Sequence, residues 1–180
     1  VRFAIAGNVI DFGTGGRPAM DVEEAAATAQ SLALDEAAVT RLKQHVEEAK
    51  DVLVLADNAG EIVFDRPLLE QIGPDKLTIA VRGGPIINDA TLEDARRSGF
   101  TDRYDVITTG MDLPGVWLPE CPADFRERFD RADLVLSKGQ GNFETLSDAP
   151  RPVFFLFLVK CTSVAANLGV DLYTAMARAR

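Results

Sequence analysis

The feature that most restricts this chain is a series of short apolar runs at residues 52–56, 77–81, 106–108, 134–136 and 153–159. They are rich in Val, Ile, Leu and Phe, and they are continuous rather than alternating. A strand with one wet face alternates apolar and polar residues, whereas a continuous run needs cover on both faces, as in a parallel sheet between helices. Segments of helical period separate the runs. Residues 34–50 place Val39, Leu42 and Val46 three and four apart with charges on the other side. Residues 61–72, 91–97, 143–146 and 162–168 are the further helical candidates. Strand and helix in alternation predict an α/β fold, a three-layer αβα sandwich around a mostly parallel, Rossmann-like sheet. Gly and Pro mark residues 13–18 (GTGGRP) and 110–122 as loops. With no repeat, low-complexity tract or linker, residues 1–180 read as one domain.

Composition narrows the function. At 180 residues, 47% hydrophobic and 26% charged, the chain can bury a sizeable core. Its longest apolar run, residues 152–159, falls far short of the roughly 20 residues that cross a bilayer. Neither a membrane partner nor a secretory signal is indicated. The opening VRFAIAGNVIDFG, without an initiator Met, reads as a chain truncated or processed at its N-terminus. Cys121 and Cys161 lack metal-ligand spacing, which points to a reducing cytoplasm rather than a disulfide scaffold. A formal net charge of −9 argues against nucleic acid as partner. A phosphorylated small molecule would then need local help from a divalent metal, Lys or Arg side chains and helix N-termini.

Such help collects where the apolar runs end. The first run is followed by Asp57 and Asn58, the second by Arg82, two glycines, Asn88 and Asp89. The fourth continues as Ser137-Lys138-Gly139-Gln140-Gly141-Asn142, and the fifth as Lys160-Cys161. In an open parallel sheet the carboxyl ends of all strands lie on one edge, and ligands bind there where strand order reverses.

Each element also has a plainer reading. Asn58 with Glu61 makes a good capping box, and Asp89 near Thr91 and Asp94 can be explained in the same way. A cap does not account for Asp57, whose carboxylate at a strand end would be costly to desolvate without a cation. SKGQGNFE is not a nucleoside-triphosphatase loop, because Lys138 precedes its glycines. As a general phosphate cradle it offers the Gly139 and Gly141 backbone, the Lys138 charge and a helix N-terminus. A solvated glycine-rich turn is the alternative. His45, the only histidine, reads as a surface residue, which disfavours a His metal site or a Ser-His-Asp triad. Cys161 reads as a buried structural thiol.

GNVIDFG, LADNAGEIVFD, RGGPIINDAT, SKGQGNFE and KCTSVAANLGV, in this order, resemble the damage-control phosphatase family, in its compact microbial branch. The resemblance spans nearly the whole chain. Members carry a further helical region before GNVIDFG, so the N-terminal helical region of the same protein is expected to be missing. The resemblance implies metal-dependent hydrolysis of phosphomonoesters of small metabolites, such as sugar phosphates or damaged phosphometabolites. Carried over by motif, Asp57, Asn58 and Asp89 would hold the divalent metal, with Asp57, Asp89 and Lys138 catalytic. Lys138, Gly139 and Asn142 would meet the phosphate, and Asn8, Asp11, Glu61 and Asn88 would line the same pocket. The family's usual Pro after Cys is Thr162 here.

Oxygen ligands suit Mg²⁺ or Mn²⁺, with Ni²⁺ and Co²⁺ as alternatives. The attacking group would be water or Asp57 itself. Two rival readings are an S-adenosylmethionine-dependent methyltransferase and a non-catalytic metabolite-binding module. The sequence does not specify an oligomeric state.

Overall fold

The apolar runs pair side by side. In the computed structural model, which describes residues 1–9 and 22–179, β1 (Val52–Leu55), β2 (Leu77–Val81), β3 (Asp105–Thr108), β4 (Leu134–Lys138) and β5 (Phe154–Leu158) are parallel. β6 (Ala175–Ala179) pairs antiparallel with β5. The spatial order is β3-β2-β1-β4-β5-β6, so strand order reverses between β1 and β4. Leu55 lies opposite Ala80 of β2 and Ser137 of β4, which brings the three strand ends together.

The continuous runs are explained by cover on both faces. Val52 and Val54 of β1 face one apolar cluster, with α1 (Arg2–Ala6), α3 (Glu36–Glu48), α4 (Ile62–Ile72) and α5 (Leu92–Arg97) contributing Ile5, Leu42, Leu69 and Ala95. Leu53 and Leu55 face the other, with Phe125 and Phe129 of α6 (Ala123–Arg131), Leu146 of α7 (Gln140–Leu146) and Val164 of α8 (Thr162–Leu168). Phe154, Phe155 and Phe157 are buried on these two faces, each worth about 1.5–3 kcal/mol of burial. The three-layer α/β architecture expected from the sequence is the one observed.

Local signals set several boundaries. Asp35 caps α3 by accepting from the Ala37 N–H at 2.9 Å. Thr91 and Asp94 form a full capping box on α5. Elements absent from the sequence reading are α1, α2 (Val22–Ser31), α6 and β6. In α6 only Phe125 and Phe129 are buried among nine mostly charged residues, a pattern too sparse to announce a helix. The Ala-rich β6 has weak strand propensity and is fixed by pairing with β5. β4 continues past its apolar run because Ser137 and Lys138 are buried with it. The GTGGRP loop and Asp11 lie outside the described residues. Among the described residues no helix is long and apolar enough to cross a membrane.

Candidate active site

The chain turns sharply after β1 and after β2, and the two turns are stitched by backbone hydrogen bonds. The Ala90 N–H donates to Asp57 O at 2.7 Å and the Ala59 N–H to Asn88 O at 2.9 Å. Asn58 and Asp89 thereby sit across an isolated antiparallel bridge. A cleft of about 330 Å³ opens here, lined by Asp57, Asn58, Asn88 and Asp89 on one side and by Gln140, Gly141, Glu144, Lys160 and Cys161 on another. It lies at the reversal of strand order, where an open α/β sheet offers its binding crevice.

Neither Asn58 nor Asp89 is a helix cap. α4 starts at Ile62 with Glu61 in the cap position and no side-chain cap bond. The Asn58 carboxamide nitrogen instead donates to Asp57 Oδ2 at 3.0 Å and to Glu61 Oε2 at 3.3 Å. That fixes its orientation and turns the carbonyl oxygen away from those carboxylates. Asp89 leaves the capping of α5 to Thr91 and Asp94, and its Oδ2 accepts from Arg82 Nε at 2.6 Å. Asp57 is pressed against Gly139. A Cβ on that glycine would lie 2.1 Å from the Asp57 carboxyl carbon, and its φ of +80° also calls for glycine.

The phosphate side departs from expectation. Lys138 is fully buried beneath the cleft rather than in its wall. Its ammonium donates to Asp65 Oδ1 at 2.6 Å and to Glu61 Oε1. Asn142 is buried too. Its Nδ2 donates to Lys138 O at 2.7 Å and Ala56 O at 3.2 Å, while its Oδ1 accepts from Arg82 Nη2 at 3.0 Å. The Gly139 N–H is taken by Leu156 O at 3.1 Å, so the residues of this loop that reach the cleft are Gln140 and Gly141. The lysine that lines the cleft is Lys160. Glu61 lies below, and Gly7 packs so closely on it that a Cβ there would come within 2.8 Å of Glu61 Cγ. Asn8 follows, buried, with neither side-chain polar atom hydrogen-bonded among the described residues. Cys161 is half-buried at the cleft wall rather than inside the core, and its sulfur accepts from the Val164 N–H at 3.4 Å.

Arg82 is the residue beside the cleft that the sequence reading left without a role. The residue is 2% exposed, and its guanidinium bridges Asp89 to Asn142, tying the end of β2 to the start of α7. The signal was available: an arginine directly after a fully buried strand must find a buried partner.

Among the described residues, carboxylates outnumber cations in this region: Asp57, Glu61, Asp65 and Asp89 are buried with Arg82 and Lys138. Burial pushes the Asp57 carboxyl well up, and Glu61 and Asp89 push the same way against Arg82 and Lys138. Burial likewise raises Asp65 to about 7 against the pull of Lys138. Burial alone would drive Lys138 towards neutrality, but Asp65 and Glu61 outweigh it and hold the ammonium charged. Among the described residues no three His, Cys, Asp or Glu side chains are grouped to hold a metal. The donor set expected from the sequence, two carboxylates and a carboxamide, would suit a hard divalent ion completed by other oxygens.

The model of the damage-control phosphatase ARMT1-like domain matches residues 1–176. The chain is 42% identical over 176 residues to a damage-control phosphatase of Pyrococcus horikoshii, covering 94% of this chain and 60% of that protein. It is 36% identical over 184 residues to a damage-control phosphatase of Archaeoglobus fulgidus, covering 99% and 63%. A crystal structure of a DUF89 family protein from Pyrococcus horikoshii superposes with a TM-score of 0.85 at 40% identity, over 98% of this chain and 63% of that one. The chain thus spans about three-fifths of the length of these relatives. Matched along almost its entire length, this chain belongs to the damage-control phosphatase ARMT1-like family.

Proposed function

We propose that this chain carries a metal-dependent phosphatase centre that hydrolyses phosphomonoesters of small metabolites, sugar phosphates or damaged phosphometabolites among them. The observation that carries the reading is the cluster of buried carboxylates at the strand-order reversal, four of them with two buried cations among the described residues. Such a cluster is costly in a protein interior and is relieved by a divalent cation. The relatives named damage-control phosphatases support the reaction class.

In this reading Asp57, Asn58 and Asp89 hold the ion by oxygen atoms. Mg²⁺ or Mn²⁺ would supply Lewis-acid polarisation of a phosphoryl oxygen. The chain does the rest. Gly139 and the Asn58 amide pin the Asp57 carboxylate, and Arg82 turns Asp89. Lys160 and Gln140, in the cleft wall, offset charge on the phosphate oxygens. Lys138 acts from beneath, where its charge keeps Glu61 and Asp65 tolerable; direct contact with phosphate would require it to leave one of them.

We assign the attack to water. A carboxylate already bonded by Asn58 and pressed on Gly139 has little room to swing into line with the phosphorus. Water adds to phosphorus, the ester P–O bond breaks, and the alcohol leaves with a proton. Turnover of a phosphomonoester made chiral at phosphorus with oxygen isotopes separates the two: inverted phosphate for direct attack by water, retained configuration for an aspartyl-phosphate on Asp57.

The test of the function is a panel of phosphometabolites assayed after EDTA treatment and again after adding back each metal. Hydrolysis restored by Mg²⁺ or Mn²⁺ is expected. Hydrolysis indifferent to EDTA, or absent with every metal, would sink the proposal.

A further inference from the structure

Ile87 is at odds with its setting. It is 67% exposed and lines the cleft beside Asn88 and Asp89. Its φ is +49°, in the left-handed region that is a genuine outlier for a β-branched residue. The Asp89 N–H donates to Ile86 O at 3.0 Å, so Ile87 is the first central residue of a tight turn. Positive φ at that position, with Asn88 not at positive φ, is the pattern in which glycine is preferred. Isoleucine thus combines backbone strain with apolar exposure at one point. Glycine or asparagine would make the same turn and present Asn88 and Asp89 as well, so the turn does not account for this side chain. What isoleucine adds is an apolar edge, with Pro114 also in the lining, on a cleft that Gln140, Glu144 and Lys160 line as well.

We propose that Ile87 selects the organic part of the ester. The cleft takes phosphomonoesters whose carbon skeleton turns an apolar face to Ile87 while the phosphate lies towards Asp57, Asn58 and Asp89. This inference rests on the phosphatase reading and names the other half of the substrate.

The experiment is a calorimetric titration of the purified protein, with Mn²⁺ present, using phenylphosphonate and methylphosphonate. Both carry the anion on a C–P bond that is not hydrolysed. The wild type is expected to bind the phenyl compound tighter by about fivefold or more, the scale of burying one side-chain face. Ile87→Asn and Ile87→Gly should lose that preference, keep their affinity for methylphosphonate, and melt no lower than the wild type. An unchanged preference in the variants, or none in the wild type, overturns the inference while leaving the phosphatase reading standing. A lower Tm in both variants also overturns it, since Ile87 would then be covered by another part of the protein. Binding of neither phosphonate by the wild type removes the phosphatase reading and this inference with it.

Discussion

The cleft wall and the layer beneath it use the same residue types for opposite purposes. Asp57 and Asp89 in the wall face open space and are held there by Asn58, Gly139 and Arg82. Glu61 and Asp65 in the layer below face one buried ammonium, Lys138, and have no access to the cleft. Each level sets two carboxylates against one buried cation, Arg82 in the wall and Lys138 below. What differs is access: the wall opens on the cleft, where a ligand can reach its carboxylates, and the layer below is closed around its ammonium. On the proposed phosphatase reading, polar residues at strand ends divide into those that meet the ligand and those that hold the first group still.

That division can be broken by mutation. The largest effect is expected in the wall: Asp57→Ala or Asp89→Ala should lower metal-dependent phosphatase activity by about a thousandfold or more while the circular dichroism spectrum stays wild-type. Turnover near wild type in either variant would remove the assignment. Below the wall the loss should be of fold instead. Lys138→Met leaves Glu61 and Asp65 without their cation and should destabilise by about 3–5 kcal/mol in denaturant unfolding. A stable Lys138→Met with a selective loss of phosphate affinity would return Lys138 to the role expected from the sequence.

Arg82→Lys keeps the charge but loses the fork that spans Asp89 and Asn142. It should weaken Mn²⁺ binding by about 10–100-fold, measured by calorimetry, because it disturbs a ligand's support and not the ligand. The smallest effect sharpens the comparison through pH. Asp65 is raised to about 7 in the fold, so its ionised form is disfavoured there, and its contribution falls as pH rises from about 4 towards 7. The stability difference between Asp65→Asn and the wild type should therefore move in the variant's favour across that window. A difference that is flat with pH would contradict the raised value.

Much of the fold was legible, and the reason is physical. Continuous apolar runs such as Leu77–Val81 can be satisfied only between two layers, and β2 has those bounds. What escaped was held by tertiary context: β6 by its pairing with β5, and α6 by just Phe125 and Phe129. For the site, residue type at a strand end placed Asp57, Asn58, Asn88 and Asp89 on the cleft. It could not say which way a side chain turns within the last strand residue. Lys138 is the clearest case, since β4 runs two residues past its apolar stretch and carries the lysine inside. Arg82 was missed for the complementary reason, its partners Asp89 and Asn142 being 7 and 60 residues away.

The claim beneath all of this is that one divalent cation sits among Asp57, Asn58 and Asp89. Crystals soaked in Mn²⁺ and measured for anomalous scattering test it most directly. The account predicts a single strong peak within coordination distance of oxygens from all three side chains. No peak there, or one held by other residues while the protein remains an active phosphatase, would contradict it.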